Sequence, residues 1–354
     1  MIYRKNRKKS LTALLVAGVM LLLAGCGPGT ASMETDQADA GSLVVYSSRN
    51  ETFVEALLEK FETETGITVE VLHAGEAVVN RIAEERNNVQ ADVFISNDVG
   101  AMEYLRLEGL LEGIEPGGIE SIDANYRADD NAWFALSART RVLIYNKDLI
   151  TEDEMPKSIE ELADAKWQNR FVITRGGNGG MIGHVSALRY QWGDDATLEW
   201  LTAVKDNAGA ITQGHGDIRR AVGAGEFEFG LVNNYYYHQQ LREPENNNVG
   251  AIYPDQAEGE MGAVLNAAGV AFIKGGPNHD NALVFAEWIL KPENQQEFSF
   301  ASLEVPINPE IEAVSEALPI SAYRVHAMPL KELGDVWLDT RQLIEASGLD
   351  MELR

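Results

Sequence analysis

Three consecutive tyrosines, Tyr235, Tyr236 and Tyr237, are the side chains of this sequence best suited to unusual chemistry. A protonated phenol, with a pKa of about 10, is a poor ligand, but a trivalent hard cation displaces the proton and binds the phenolate oxygen strongly, as in haem proteins with an axial tyrosine. Neighbouring residues of a strand point to opposite faces, so at least one hydroxyl should meet solvent or a cleft. The triplet alone leaves two interpretations open: a metal site, and an aromatic edge strand or interface.

A strand predicted over 227–233 delivers these tyrosines, within a chain that alternates strands and helices. The other predicted strands are 43–46, 67–72, 91–95, 133–146, 170–174 and 262–273, and the predicted helices are 52–65, 77–86, 181–192, 198–208, 217–224, 281–290 and 329–347. This β-α-β rhythm predicts parallel sheets covered by helices, which bind ligands beyond the carboxyl ends of their strands. Two loops, 48–51 and 96–100, should therefore face a site.

The N-terminus has the features of a targeting segment. Basic residues at 4–9 precede an apolar stretch at 11–23, which is shorter than the roughly 20 residues of a membrane span. The stretch ends in Leu-Ala-Gly-Cys at 23–26, which resembles the bacterial lipoprotein box and implies a signal peptide over 1–25 with Cys26 lipidated. The alternative is an ordinary secretory signal. The protein is predicted to be exported and lipid-anchored to the cell membrane, facing the periplasm or the exterior, with no internal disulfide because Cys26 is its single cysteine.

Small polar residues over 26–42 predict a flexible tether between the lipid and the folded body. The body of about 310 residues is too long for one simple core and suggests two lobes. The net charge of −26 argues against nucleic acid or an anionic membrane surface as a partner, so contact with the membrane is expected only through the lipid.

Seven segments of the body, in this order, resemble the ferric-iron-binding proteins of bacterial ABC importers, within the two-lobed extracellular solute-binding proteins. They are VYSSR at 45–49, FETETGI at 61–67, ADVF at 91–94, SARTRVLIYN at 137–146, KWQNR at 166–170, NNYY at 233–236 and VPINP at 305–309. The resemblance implies an α/β, type II periplasmic-binding-protein fold, in which each lobe is a mostly parallel sheet flanked by helices. The expected division is a first lobe over 43–138, a second lobe over 139–261, a return segment to the first lobe over 262–312 and a helical tail over 313–354 that packs on the second lobe.

The same resemblance implies that iron is held by Tyr235 and Tyr236, with Tyr237 a packing residue. Members of the family complete the metal shell with a His in the first loop and a Glu after the third strand, but this sequence has Asn50 and Asn97 there. A third tyrosine found in another subgroup is also missing, because its turn consists of glycine and asparagine. Only two protein ligands are therefore clearly present, and the candidates for additional metal or anion contacts are Asn50, Asn97, Asp98, Arg49 and His215.

The glycine-rich turn at 176–180 is suited to an anion, because free backbone amides at a helix start attract negative charge. The resemblance places the family's synergistic anion at Gly177, Asn178 and Gly179, with Asn233 and His215 nearby. The alternative is a plain loop.

Four further groups of residues each have two interpretations. Arg49 is either a bidentate anion contact or a surface residue, and His215 either replaces the missing histidine or has a capping or solvent-exposed role. Asp98 offers a carboxylate oxygen to a hard cation or caps the following helix. Arg139 and Arg141 are expected to be structural rather than ligand-binding.

The leading functional hypothesis is a monomeric receptor that captures Fe(III) with a carbonate, phosphate or citrate-like anion and delivers it to an ABC permease and its ATPase. Its lobes would close by a hinge near Arg139 and Met261. The alternative keeps the fold and binds an organic phosphate, a phosphonate or another small anion, although two phenols add little to such a site. An enzyme is disfavoured because no nucleophile elbow, zinc motif or cysteine nucleophile is present.

Overall fold

The computed structural model describes residues 40–75 and 77–349. The predictions for the signal peptide, for Cys26 and for most of the tether fall outside these residues. Within them, no helix is both long enough and apolar enough to cross a membrane.

The predicted strands and helices occur in the order predicted, and the structure adds three strands and three helices that were not predicted. The strands are β1 (Ser42–Ser47), β2 (Thr68–His73), β3 (Val93–Ser96), β4 (Trp133–Asn146), β5 (Phe171–Thr174), β6 (Ala210–Thr212), β7 (Phe229–Asn233), β8 (Val249–Ile252), β9 (Leu265–Phe272) and β10 (Val305–Pro306). The helices are α1 (Glu55–Thr65), α2 (Ala77–Glu84), α3 (Val99–Leu107), α4 (Gly179–Trp192), α5 (Asp194–Asn207), α6 (His215–Gly223), α7 (Asn234–Leu241), α8 (His279–Ile289), α9 (Pro292–Phe300) and α10 (Glu332–Ser347).

The strands form a continuous sheet in the order β2-β1-β3-β9-β4-β7-β5-β6, with β8 and β10 also paired to β4. Strand β1 runs parallel to β2 and β3, and β5 runs parallel to β6 and β7, which confirms the α/β class. The fourteen buried residues of β4 join two halves of the sheet, because residues 133–140 pair with β9 and residues 141–146 pair with β7 and β8. We call the β1–β3 side the first half and the β5–β8 side the second half.

Local sequence explains the helices that flank the site. Helix α1 buries Leu57, Leu58 and Phe61 on one face and ends at Gly66, whose left-handed φ of 74° suits glycine. Helix α4 starts after Asn178, whose side chain accepts a hydrogen bond from the Gly180 amide. The end of α1 and the start of α4 therefore position the loops next to them.

The tyrosines lie on a helix rather than on a strand. Strand β7 ends at Asn233, and α7 begins at Asn234, so Tyr235 and Tyr236 occupy its first turn. Asn234 is fully buried and its Oδ1 accepts a hydrogen bond from the Thr140 amide of β4, 3.1 Å away. This bond ties the start of α7 to the strand that joins the halves.

The tail helix α10 contacts both halves. Trp337 Nε1 donates to Asp98 at the start of α3, at 2.8 Å, and Thr340 Oγ1 accepts from Ser186 of α4, at 2.9 Å. The predicted packing on the second lobe is therefore accompanied by packing on α3. The predicted lobe boundary at 138/139 falls inside β4.

Candidate metal centre

A cleft of about 610 Å³ lies where the ends of β1, β2 and β3 face the starts of α4, α6 and α7. It brings together most of the site residues predicted from sequence. From the first half these are Arg49, Asn50 and Asn97, and from the second half Gly177, Asn178, Gly179, His215, Asn233, Tyr235 and Tyr236. Asp98 is the one predicted candidate that does not line it.

The two tyrosines of the cleft stand side by side. Their ring centroids are 4.4 Å apart at an interplanar angle of 33°, and Tyr235 is only 5% exposed. Burial, and to a smaller extent the neighbouring Tyr235, raises the pKa of Tyr236. This phenol is therefore protonated at neutral pH when no cation is bound. The start of a helix favours negative charge, which helps phenolates form once a cation displaces the protons. The pair is thus arranged for a highly charged hard cation.

Tyr237 lies outside the lining of the cleft. It packs, half-buried, against a buried apolar group that includes Val142, Ile144 and Val232. Its position on α7 directs it to the core of the second half.

The two asparagines at the positions where the family has His and Glu make local hydrogen bonds. Asn50 Oδ1 accepts from the amide and the hydroxyl of Thr52, at 3.1 and 2.9 Å, and caps the turn at Glu51–Phe53. Asn97 Nδ2 donates to the Ser48 carbonyl, at 3.1 Å, which leaves its amide oxygen for a ligand. Neither side chain supplies a negatively charged atom for binding a metal ion.

The glycine-rich turn presents hydrogen-bond donors to the cleft. The amides of Gly177 and Gly179 have no partner among the described residues, and both residues line the cleft at the start of the fourteen-residue α4. Free amides and the positive end of the helix dipole together favour an anion. Arg175 precedes the turn and also lines the cleft.

His215 lines the cleft and accepts a hydrogen bond through one ring nitrogen. Arg141 Nη1 lies 2.8 Å from His215 Nε2, and because a guanidinium only donates, Nε2 must accept. Burial, then the positive charges of Arg141 and Arg139, holds the pKa of His215 well below its usual range, so the ring is neutral and carries its proton on Nδ1. A side chain at Gly180 would come within 2.7 Å of His215 Cε1, so glycine there gives the ring its place.

Arg49 and Asp98 are engaged in structural contacts. Arg49 Nη1 pairs with Glu304 at 3.0 Å, Nη2 donates to Ser302, and Phe298 lies against the guanidinium, so Arg49 is neither a surface residue nor free for a bidentate anion. Asp98 caps α3 by accepting from the Gly100 amide, and it also accepts from Asn266 and Trp337. Both carboxylate oxygens accept hydrogen bonds and Asp98 does not line the cleft, so the structure favours its capping role.

His73 and Arg139 are among the residues of the cleft that were not predicted as ligand candidates from sequence. His73 ends β2 beside Ser47 and lines the cleft, and its Nδ1 is buried with no partner in the described part of the chain. Arg139, predicted to be structural, lines the cleft as well. The signal available in the sequence was the position of His73 at the carboxyl end of a strand. Every residue at such a position carries the same signal, so it does not single out His73.

Carboxylates and imidazoles do not by themselves form a metal centre here. Among residues 40–75 and 77–349, no three His, Cys, Asp or Glu side chains are close enough to hold an ion together. A metal in this cleft therefore depends on the phenols and on whatever the ligand itself supplies.

Binding of a trivalent cation by the pair is expected to release about two protons, because each phenol must lose one. Lower pH restores those protons, so the affinity should fall by about 100-fold per pH unit after correction for the chelator. Isothermal titration in buffers of different ionisation enthalpy counts the protons. Binding without proton release would show that the phenols stay protonated.

Comparison with known proteins places this geometry among transport proteins. Residues 56–322 match the model of the bacterial extracellular solute-binding protein family. The chain is 27% identical over 347 residues to iron uptake protein A1 of Synechocystis, covering 95% of this chain and 96% of the relative. It is 28% identical over 310 residues to the major ferric iron-binding protein of Neisseria meningitidis, covering 87% and 93%. A Trichodesmium protein solved with iron and citrate ligands aligns with a TM-score of 0.74 and 28% identity, covering 87% of this chain and 100% of that one.

Proposed function

The chain belongs to the bacterial extracellular solute-binding proteins, and we propose that it captures ferric iron with an accompanying anion and delivers it to an ABC-type permease and its ATPase. Proteins of this family bind solutes and are not enzymes. The proposal agrees with the named relatives, which are iron uptake and ferric iron-binding proteins.

The observation that carries the proposal is the pair Tyr235 and Tyr236 side by side in the cleft. Ferric iron is a hard trivalent cation, and two phenolates leave most of an octahedral shell to other donors. An anion at the amides of Gly177 and Gly179 would supply some of them. On the first half, His73 and Glu51 line the cleft and carry donor atoms that iron accepts.

Capture would proceed by closure of the two halves on the ligand. Donors from both halves line the same cleft, so a ligand that contacts both stabilises the closed state. The hinge would lie where β4 passes from one half to the other, near Arg139, and on the return chain near Met261. The lipid anchor on Cys26, the monomeric state and the lobe boundaries at 138/139 and 261/262 are parts of the same proposal.

A second candidate ligand is an organic phosphate or phosphonate, which the free amides of the turn and the arginines of the cleft would bind without iron. The tyrosine pair disfavours it, because a phosphate group gains little from two phenols.

Metal analysis separates the two candidates. The purified protein is loaded with ferric nitrilotriacetate in the presence of carbonate or citrate, desalted and analysed, and its melting temperature is compared with that in 2-aminoethylphosphonate. We expect one iron per chain and a higher melting temperature only with iron. Iron that washes off with every anion, together with stabilisation by the phosphonate, would reverse the assignment.

A further inference from the structure

His73 is a cleft residue whose imidazole has no partner. It is the last residue of β2, in register with Ser47 of β1, and the amide of the next residue, Ala74, donates to the Ser47 carbonyl at 3.2 Å. His73 lines the cleft and is partly buried. Its Nδ1 is buried, and neither ring nitrogen makes a hydrogen bond within residues 40–75 and 77–349. The sheet therefore fixes the backbone of a ring whose polar atoms are unused.

An unused imidazole at this place points to a ligand. A neutral imidazole keeps one nitrogen lone pair, which either accepts a hydrogen bond or binds a metal ion. Buried polar atoms without partners are rare in native proteins, and a water, an ion or a ligand often completes the sites where they occur. The lone pair of His73 is thus available to whatever enters the cleft.

The other histidine that lines the cleft has no lone pair to offer in this arrangement. His215 Nε2 accepts from Arg141 Nη1 at 2.8 Å, and its Nδ1 carries the proton. Among the described residues that line the cleft, His73 and His215 are the two imidazoles. His73 is therefore the one whose nitrogen is free to bind a metal ion.

His73 also lies on the half of the cleft that lacks a metal ligand. Tyr235 and Tyr236 belong to the second half, and phenolates from one half alone would not draw the other half toward the iron. Iron accepts imidazole nitrogen as well as oxygen donors. A nitrogen from the end of β2 would let one ion contact both halves and so stabilise the closed state.

We propose that His73 is the protein ligand that the first half contributes to ferric iron, through its imidazole, when the halves close on Tyr235 and Tyr236. The inference rests on the proposed capture of ferric iron and names a residue of that site. It assigns the ligand to the end of β2, outside the loops at 48–51 and 96–100 in which the family resemblance places the first-half ligands.

Pulsed electron paramagnetic resonance tests this directly, because it detects nitrogen nuclei bound to ferric iron. The protein is produced with ¹⁵N-labelled histidine and loaded with ferric citrate in a nitrogen-free buffer, since nitrilotriacetate would add a nitrogen ligand of its own. The wild type is expected to show a ¹⁵N coupling that is absent from His73→Asn. The ferric–tyrosinate colour of His73→Asn at saturating ferric citrate should persist, because both phenols remain.

The affinity for iron gives a second measurement. Competition against citrate should show a loss of at least about 10-fold in His73→Asn, the lower bound for groups that support a metal site. His279→Asn is the matched control, because His279 is an exposed histidine that pairs with Glu112 at 2.8 Å and does not line the cleft. It should stay within about twofold of the wild type.

The outcomes separate this inference from the proposed function. A wild type that retains no iron contradicts both. Retained iron without a histidine ¹⁵N coupling overturns only the inference, and so does a coupling that persists in His73→Asn. If the thermal transition shows that His73→Asn does not fold, His215→Gln decides: a coupling that persists there supports His73 as the ligand, and its loss assigns the nitrogen to His215.

Discussion

Replacement of Tyr236 by phenylalanine is expected to lower the affinity for ferric iron by more than about 100-fold, because even the outer partners of metal ligands are worth 10- to 100-fold. The substitution deletes one oxygen from a half-buried ring and leaves its contacts with Tyr235 and His215 in place. Tyr235→Phe should act in the same direction for the same reason. Competition titration against nitrilotriacetate gives the affinities.

The neighbouring tyrosine is a matched control. Tyr237→Phe makes the same chemical change one residue along the same helix, outside the cleft. It should leave the affinity within about twofold of the wild type, since surface or packing changes away from a site usually cost little. Equal losses in Tyr236→Phe and Tyr237→Phe would indicate a general effect on α7 and not the loss of a ligand.

Removal of the Glu304 carboxylate is expected to destabilise the fold by about 3–5 kcal/mol, because it leaves buried guanidinium charge without its partner. Glu304 is 1% exposed, pairs with Arg49, accepts from Ser137 and lies 3.9 Å from Arg139. The segment that follows it is β10, which pairs with β4. Glu304→Ala should therefore lower the free energy of unfolding measured by denaturant titration.

A surface ion pair provides the control for this effect. Glu297 pairs with Lys60 at 2.8 Å, but both side chains are about one-third exposed. Glu297→Ala is expected to cost less than about 1 kcal/mol. Comparable losses from the two substitutions would contradict the structural importance assigned to the buried pair.

Much of the site could be predicted because it follows from local patterns. Alternating strands and helices predict a parallel sheet, and its carboxyl ends place Asn50 and Asn97 at a cleft. The turn at Gly177 and Gly179 is recognisable from glycines before a helix. The family resemblance identified Tyr236 as a cleft residue, and the structure places it there.

The remainder depends on contacts between distant parts of the chain. Arg49 and Glu304 lie 255 residues apart, so no local sequence pattern predicts their ion pair. Asp98 is held by Trp337, which is 239 residues away on α10. His215 is hydrogen-bonded by Arg141, which lies on β4. The tyrosines lie on a helix because α7 begins at Asn234, immediately after the end of β7.

The charge of the cleft could not be predicted from the composition of the chain. The chain is strongly acidic overall, yet the described residues that line its cleft include three arginines and one glutamate. Charge patterning along the sequence does not reveal this, because Arg49, Arg139 and Arg175 come from separate elements. The fold brings them to the same cleft as the tyrosine pair.

The central claim is that Tyr235 and Tyr236 bind ferric iron through their phenolate oxygens. Resonance Raman spectroscopy of the iron-loaded wild-type protein, excited within its visible absorption band, tests it most directly. We expect a red-orange protein whose spectrum shows tyrosinate ring vibrations, and the loss of both in the variant that combines Tyr235→Phe with Tyr236→Phe. An iron-loaded protein without tyrosinate vibrations, or a double variant that retains them, would contradict it.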